Sequence, residues 1–96
     1  MLQYVYVLRP VRADFLATQT TGEQEAIGHH FQYLVDLKAA GRLILAGRTQ
    51  EEEPFGLVIF DAADDETARA IMTADPSVAR GVFRAELHPY QVALRA

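Results

Sequence analysis

His30 is the residue whose chemical type and position most strongly indicate a function. If residues 23–41 form a helix, His30 lies on its apolar stripe, and its neighbour His29 lies about 100° away on the wetter side. The same stripe contains Ile27, Phe31, Leu34, Leu37 and Lys38. An imidazole facing the core needs a partner or a task, because an unpaired buried polar group costs about 1–3 kcal/mol.

Asp75 is the second candidate, and it stands directly before Pro76. A carboxylate bonded to one imidazole nitrogen fixes the tautomer and makes the other nitrogen more basic, which gives a general base or acid. Two plainer interpretations stay open: Asp75 as the N-cap of a short helix that begins with Pro76, and His30 as a structural histidine. Asp36 is a poorer partner, because six positions place it across the helix from His30.

Other kinds of site find little support in the sequence. His29 and His30 are adjacent and diverge, whereas metal-binding histidines on a helix are three or four positions apart, so we expect no metal site. Ser77 has no histidine beside it and no Gly-x-Ser-x-Gly motif around it. No glycine-rich phosphate loop occurs, and we expect no cofactor. His88 precedes Pro89 and is predicted at the surface.

The composition predicts a small soluble domain. The chain has 96 residues, half of them hydrophobic, which fits a single domain with a modest core. The net charge of −4 and nine scattered basic residues argue against a nucleic-acid partner. There are no cysteines, and we find neither a signal peptide nor an apolar run long enough for a membrane span. We therefore expect a cytoplasmic protein with no membrane partner.

Four segments have the character of strands, at residues 2–8, 42–47, 55–60 and 83–88. The first and third carry bulky apolar residues on both sides, which predicts central strands. After Pro89 the apolar residues change parity, which predicts a bend or bulge there.

Two helices complete the pattern. Thr21 and Gln24 have capping-box spacing at the start of the first helix, and Gly41 is suited to its end. Residues 61–66 are acidic and open the second helix. Its apolar face is formed by Ala68, Ile71 and Met72. The connection 9–22 is long enough for a binding loop, or it is a surface loop held by Phe15.

The order β-α-β-β-α-β predicts a ferredoxin-like α+β fold with a four-stranded antiparallel sheet. Both helices then cover one sheet face, and the bare apolar face predicts a homodimer. Because the two helices run antiparallel, the start of one lies beside the end of the other. We therefore expect His30 and Asp75 within hydrogen-bond reach, beside a cavity between the first helix and the sheet.

An ordered set of motifs along most of the chain resembles the YciI-like, or YCII-related, family. The set comprises His30-x-x-Tyr33-Leu34, Gly41-Arg42-Leu43, Ala46-Gly47, Ala68, the segment from Asp75-Pro76 to Arg80-Gly81, and Leu87-His88-Pro89-Tyr90.

The resemblance implies one ferredoxin-like domain over residues 1–96, paired as a dimeric α/β barrel. It also implies a histidine–aspartate pair facing a cavity, at His30 and Asp75. Many relatives carry Gly-Pro where this chain has Gly47-Arg48. A guanidinium at this position could bind an anionic substrate or lie in solvent. Some relatives are associated with dehydrochlorination of an aromatic ring.

Together these observations predict a small cofactor-independent lyase or isomerase that moves a proton on a cyclic or aromatic organic acid. His30 and Asp75 are its predicted catalytic residues. The predicted substrate-binding residues are Tyr6, Gly47, Arg48 and Pro76. The alternative is a ligand-binding or structural dimeric module in which the same pair has no catalytic role.

Overall fold

The computed structural model describes residues 1–96 and contains the predicted order of strands and helices. The strands are β1 (Leu2–Pro10), β2 (Leu43–Arg48), β3 (Gly56–Ala62) and β4 (Phe83–Tyr90). The helices are α1 (Thr21–Ala39), α2 (Asp65–Ala74) and α3 (Pro76–Ala79), and a 3-10 turn covers Phe15–Ala17. None of the helices combines the length and the apolar character that crossing a bilayer requires.

The four strands form one antiparallel sheet in the order β2-β3-β1-β4. The predicted central position of β1 and β3 is therefore confirmed, as is the ferredoxin-like α+β fold. Because side chains alternate along a strand, Tyr4 and Tyr6 of β1 face the same side as Val58 and Phe60 of β3. All four are buried in the core between the sheet and the helices.

The capping box of α1 lies one residue earlier than predicted. The Thr20 hydroxyl accepts a hydrogen bond from the Glu23 backbone N–H at 3.1 Å, and the Glu23 carboxylate accepts one from the Thr20 N–H at 2.9 Å. Thr21 and Gln24 fit the same pattern, but Glu23 also binds the Arg12 guanidinium at 2.7 and 2.8 Å. Hydrogen bonds from Arg12 are the main reason that the pKa of Glu23 falls to about 2.

The connection between β1 and α1 is held to the protein at two places. Phe15 is buried against Ala26 and Val82, and Arg12 binds Glu23 at the start of α1. The neighbouring Leu16 remains about half exposed, at 52%. Phe15 thus holds the segment to the protein, and Phe15 and Leu16 also line the cavity described below, so the interpretation as a binding loop stays open.

The predicted bend at Pro89 is wrong. Pairing of β4 with β1 continues without a register shift through Pro89 to Tyr90. β4 is an edge strand, and an edge strand accommodates proline because one of its sides has no partner strand. The irregularity of the sheet lies instead in β2, where the register shifts between Leu43 and Leu45.

The observed cap makes a prediction with an internal control. Thr20→Ala removes the side chain that accepts from the Glu23 N–H, and it should lower the free energy of unfolding by about 1 kcal/mol. Thr21→Ala, one position inside the helix, should change it by less than about 0.5 kcal/mol. Urea denaturation of both variants measures the difference. Equal losses, or a larger loss for Thr21→Ala, would contradict the observed cap.

Candidate active site

Asp75 is the centre of a buried hydrogen-bond network. It lies between α2 and α3, and its side chain is fully buried. One carboxylate oxygen, Oδ1, accepts from the Ser77 N–H at 3.0 Å and from the Ser77 hydroxyl at 2.8 Å. The other, Oδ2, accepts from the Tyr6 hydroxyl at 2.7 Å. Nδ1 of His30 lies 2.9 Å from Oδ1 and 2.8 Å from Oδ2.

These bonds determine which groups are ionised. Burial raises the pKa of Asp75, but hydrogen bonds from His30, Tyr6 and Ser77 outweigh burial, and the net pKa lies below its ordinary value. Burial also raises the pKa of Tyr6, and the nearby Asp75 charge adds to that effect. The carboxylate therefore stays ionised and accepts, while the phenol stays protonated and donates.

His30 is presented to this network by α1. Its side chain is 15% exposed, and its ring stands edge-on to Phe83 with the centroids 6.1 Å apart. Since Asp75 is an ionised acceptor, Nδ1 carries the hydrogen that lies between the two residues. Nε2 has no hydrogen-bond partner in the protein. Every buried side-chain nitrogen and oxygen in the structure does have a partner. Nε2 is therefore not buried, and it is open to solvent. In the neutral ring this nitrogen holds a free lone pair.

A cavity of about 510 Å³ lies between α1 and the sheet, and His30 is part of its wall. The other elements that contribute to it are the ends of β1, β2 and β3, the 3-10 turn and the start of β4. Most of the lining is apolar, and the ionisable side chains in it are His30, Lys38 and Arg48. The predicted arrangement, a histidine–aspartate contact beside a cavity under the first helix, is present.

The predicted substrate-binding residues divide into two groups. Gly47 and Arg48 line the cavity. Tyr6 and Pro76 do not: Tyr6 is fully buried and lies behind the pair with its hydroxyl on Asp75, and Pro76 is the first residue of α3. The expectation that Tyr6 forms part of the pocket wall is therefore corrected, because the hydrogen bond to Asp75 turns its ring into the core.

Two further residues belong to the site. The sequence suggests Ser77 only as a weakly supported nucleophile, but its N–H and hydroxyl both donate to Oδ1 of Asp75. The sequence Asp-Pro-Ser carried a signal for this, since an N-cap aspartate accepts from the N–H two residues later. Lys38 lines the cavity, and the helical pattern had already placed it on the stripe of His30.

The remaining candidates lie away from the pair. His88 is half exposed and contacts Glu86 at 3.2 Å. Asp36 is exposed and accepts from the Gln32 amide. No group of three or more His, Asp or Glu side chains is arranged to hold a metal ion.

The fold and the site define a ferredoxin-like α+β domain with a histidine–aspartate pair beside an apolar cavity. The sequence model of the YCII-related domain matches residues 4–88, and the chain belongs to this family. No curated protein sequence matches it significantly.

Among solved structures, the chain is similar to 5-chloro-2-hydroxyhydroquinone dehydrochlorinase (TftG) from Burkholderia phenoliruptrix AC1100, in complex with 2,5-dihydroxybenzoquinone. The two share 18% sequence identity, with a TM-score of 0.68. The match covers 92% of this chain and 93% of that one. At this identity the likeness establishes the fold.

The lowered pKa of Asp75 makes its contribution to stability depend on pH. A carboxylate with a lowered pKa in the folded state stabilises the fold fully when the pH is above its unfolded-state pKa of about 3.9. This stabilisation is lost as the pH falls through the folded-state pKa. Asp75→Asn should therefore cost about 2 kcal/mol at pH 7. This difference in the free energy of unfolding between the variant and wild type should narrow as the pH falls from 7 to below about 4.

Urea denaturation of both proteins across this pH range measures the narrowing, and a difference independent of pH would contradict it. Asp36→Asn is the matched control, because Asp36 is exposed on α1. Asp36→Asn should leave the free energy of unfolding within about 0.5 kcal/mol of the wild-type value at every pH measured.

Proposed function

We propose that the protein is a small enzyme that moves a proton on a cyclic or aromatic organic acid without a cofactor. His30 is the base and Asp75 is its positioning residue. One observation carries the proposal: Nδ1 of His30 is held by Asp75 at 2.8 Å, while Nε2 has no partner in the protein and the residue lines the cavity. An imidazole fixed in this way has its proton-accepting atom pointed at a bound ligand.

The pair suits an elimination or an isomerisation. In a dehydrochlorination, Nε2 takes a proton from the substrate, the electrons of the broken bond form a double bond, and chloride leaves with the electrons of the C–Cl bond. In an isomerisation, the same nitrogen returns the proton at another carbon. In both reactions the imidazolium that forms is stabilised by the Asp75 carboxylate beside it.

The dehydrochlorinase that shares the fold supports the first reaction class. That protein is described with a small quinone bound, and the apolar cavity of the present chain is suited to a ring of similar character. Arg48, at the cavity wall, supplies a positive charge for the acidic group of the substrate. Gly47 beside it leaves the backbone open to a ligand, because no heavy atom lies within 4 Å of the place where a Cβ would stand.

The second candidate is a ligand-binding or structural dimeric module without catalysis. The observation that favours it is the position of Asp75, which caps α3 and also ties β1 to the helices through Tyr6 and His30. A network of this kind stabilises the fold whether or not a substrate exists. The two candidates differ in what the loss of His30 does to turnover.

We also propose that the protein is a homodimer joined through the helix-free face of the sheet. Leu45, Ile59 and Val5 lie opposite one another on β2, β3 and β1, and they form an apolar row on this face. Leu45 is 62% exposed. Val5 and Ile59 are already buried within the single chain, at 8% and 9% exposed, so a second copy placed sheet to sheet would chiefly cover Leu45.

For catalysis, His30→Gln should lower kcat on a chlorinated hydroxyhydroquinone at least about 100-fold, because the general base is lost. His29→Gln changes the neighbouring, exposed histidine and should retain full turnover. Steady-state kinetics with chloride release as the readout measures both, and circular dichroism checks the fold. If a folded His30→Gln variant keeps the wild-type kcat, His30 is not the general base. That result would favour the second candidate, a module without catalysis.

For assembly, light scattering of the wild type at micromolar concentration should give twice the mass of the chain. Leu45→Glu places a charge in the proposed interface and should give the mass of one chain. Gln24→Glu adds the same charge on exposed α1 and should remain dimeric. A monomeric wild type would refute the proposed dimer.

A further inference from the structure

The cavity contains two lysine or arginine side chains, and they approach it from opposite directions. Lys38 lies in the last turn of α1, and Arg48 is the last residue of β2. The chain reverses at Gly41 between these elements, so β2 runs back along α1 away from Lys38. From Leu43, at the Lys38 end, to Arg48 the strand extends about 17 Å.

Arg48 is at the same end of the sheet as His30. Arg48 pairs with Gly56, and Gly56 pairs with Leu8 of β1. Two residues further along β1, Pro10 pairs with Phe83, whose ring contacts His30. Lys38 follows His30 by eight helical residues, which corresponds to about 12 Å along the axis of α1. Along the strand direction Arg48 is therefore level with the base, although three strand spacings, about 14 Å, separate it from Phe83 across the sheet. Lys38 lies at the far end of the cavity.

Neither cation is neutralised by the protein. Arg12 and Arg80 have carboxylate partners within 4.0 Å, whereas Lys38 and Arg48 take part in no ion pair. No aspartate or glutamate lines the cavity. The chain as a whole has a net charge of −4, whereas the cavity is lined by two cations and no acidic residue. Such a distribution favours an anionic ligand.

The size of the cavity favours a long ligand. Cavities of roughly 300–1,000 Å³ accept drug-sized molecules, and this one has about 510 Å³. A single ring with one carboxylate fills only part of that space and reaches only one of the two cations. The wall between the cations is mainly apolar, with Leu34, Val35 and Ala46 among its residues.

We propose that the cavity binds an elongated diacid, with an apolar body between two acidic groups. One acidic group lies at Arg48, at the end of the cavity that His30 lines, and the other lies at Lys38. This ligand class extends the proposed function by adding a second acidic group to the organic acid on which His30 acts. Lys38 and Arg48 are then the residues that determine specificity.

The test compares three probes by isothermal titration calorimetry: decanedioate, its monomethyl ester and butanedioate. The monomethyl ester has the same chain with one charge fewer, and butanedioate has both charges on a chain too short to span the cavity. Wild type should bind decanedioate about fivefold more tightly than the monomethyl ester, the effect of one partly exposed charge pair. Its preference over butanedioate should be larger, because butanedioate also lacks six methylene groups that the apolar wall would bury.

Lys38→Gln and Arg48→Gln should each abolish the preference for decanedioate over its monomethyl ester, because only one cation then remains. Arg69→Gln removes an exposed arginine of α2 and should keep the preference. Equal binding of decanedioate and the ester by wild type, retention of the preference in both cavity variants, or no binding of any probe would overturn the proposal.

Failure of this proposal is distinguishable from failure of the proposed function. His30→Gln should keep the preference for decanedioate, since it alters neither Lys38 nor Arg48. A preference that persists while His30→Gln turns over normally would leave the ligand class standing and remove the catalytic role. If His30→Gln loses turnover and wild type shows no preference for the diacid, the catalytic role stands and the proposed ligand class is wrong.

Discussion

The structure depends on the buried carboxylate of Asp75. A charge removed from water is tolerated only when hydrogen bonds replace its hydration, and here Tyr6, Ser77 and His30 supply them. These donors come from β1, the start of α3 and α1, so a single carboxylate joins the sheet to the helices. The same bonds leave one imidazole nitrogen of His30 occupied and the other free. Stability and the candidate chemistry thus share one interaction, which makes the cap and the catalytic interpretations of Asp75 compatible.

Much of the fold and the central contact were predictable from the sequence. Apolar residues on both sides of residues 2–8 and 55–60 identified the central strands, because near-continuous apolar runs are typical of strands inside a sheet. The antiparallel helices of the ferredoxin-like fold then predicted the contact of His30 with Asp75, although 45 positions separate them. These inferences depend on periodicity and topology, which a single sequence carries.

The errors share a different origin, because each depended on a contact between distant parts of the chain. The capping box was placed one residue too late: Thr20 and Glu23 have the same spacing as Thr21 and Gln24, and the local sequence does not show the contact of Glu23 with Arg12, eleven positions earlier. A tyrosine on the buried side of a strand resembles any core aromatic, so the bond from Tyr6 to Asp75 was not predictable. The straight course of β4 at Pro89 follows from its edge position, which the local sequence does not show.

The central claim is that Asp75 holds Nδ1 of His30 and leaves Nε2 as the free, proton-accepting atom. Nitrogen-15 NMR of the histidine ring reads this directly, because protonated and unprotonated ring nitrogens have distinct chemical shifts. In the neutral state the account predicts a hydrogen on Nδ1 and a bare Nε2, and Asp75→Asn should weaken that tautomer preference. A neutral ring that carries its hydrogen on Nε2 would contradict the account, because the nitrogen without a partner in the protein would then be a donor with no lone pair to accept a proton.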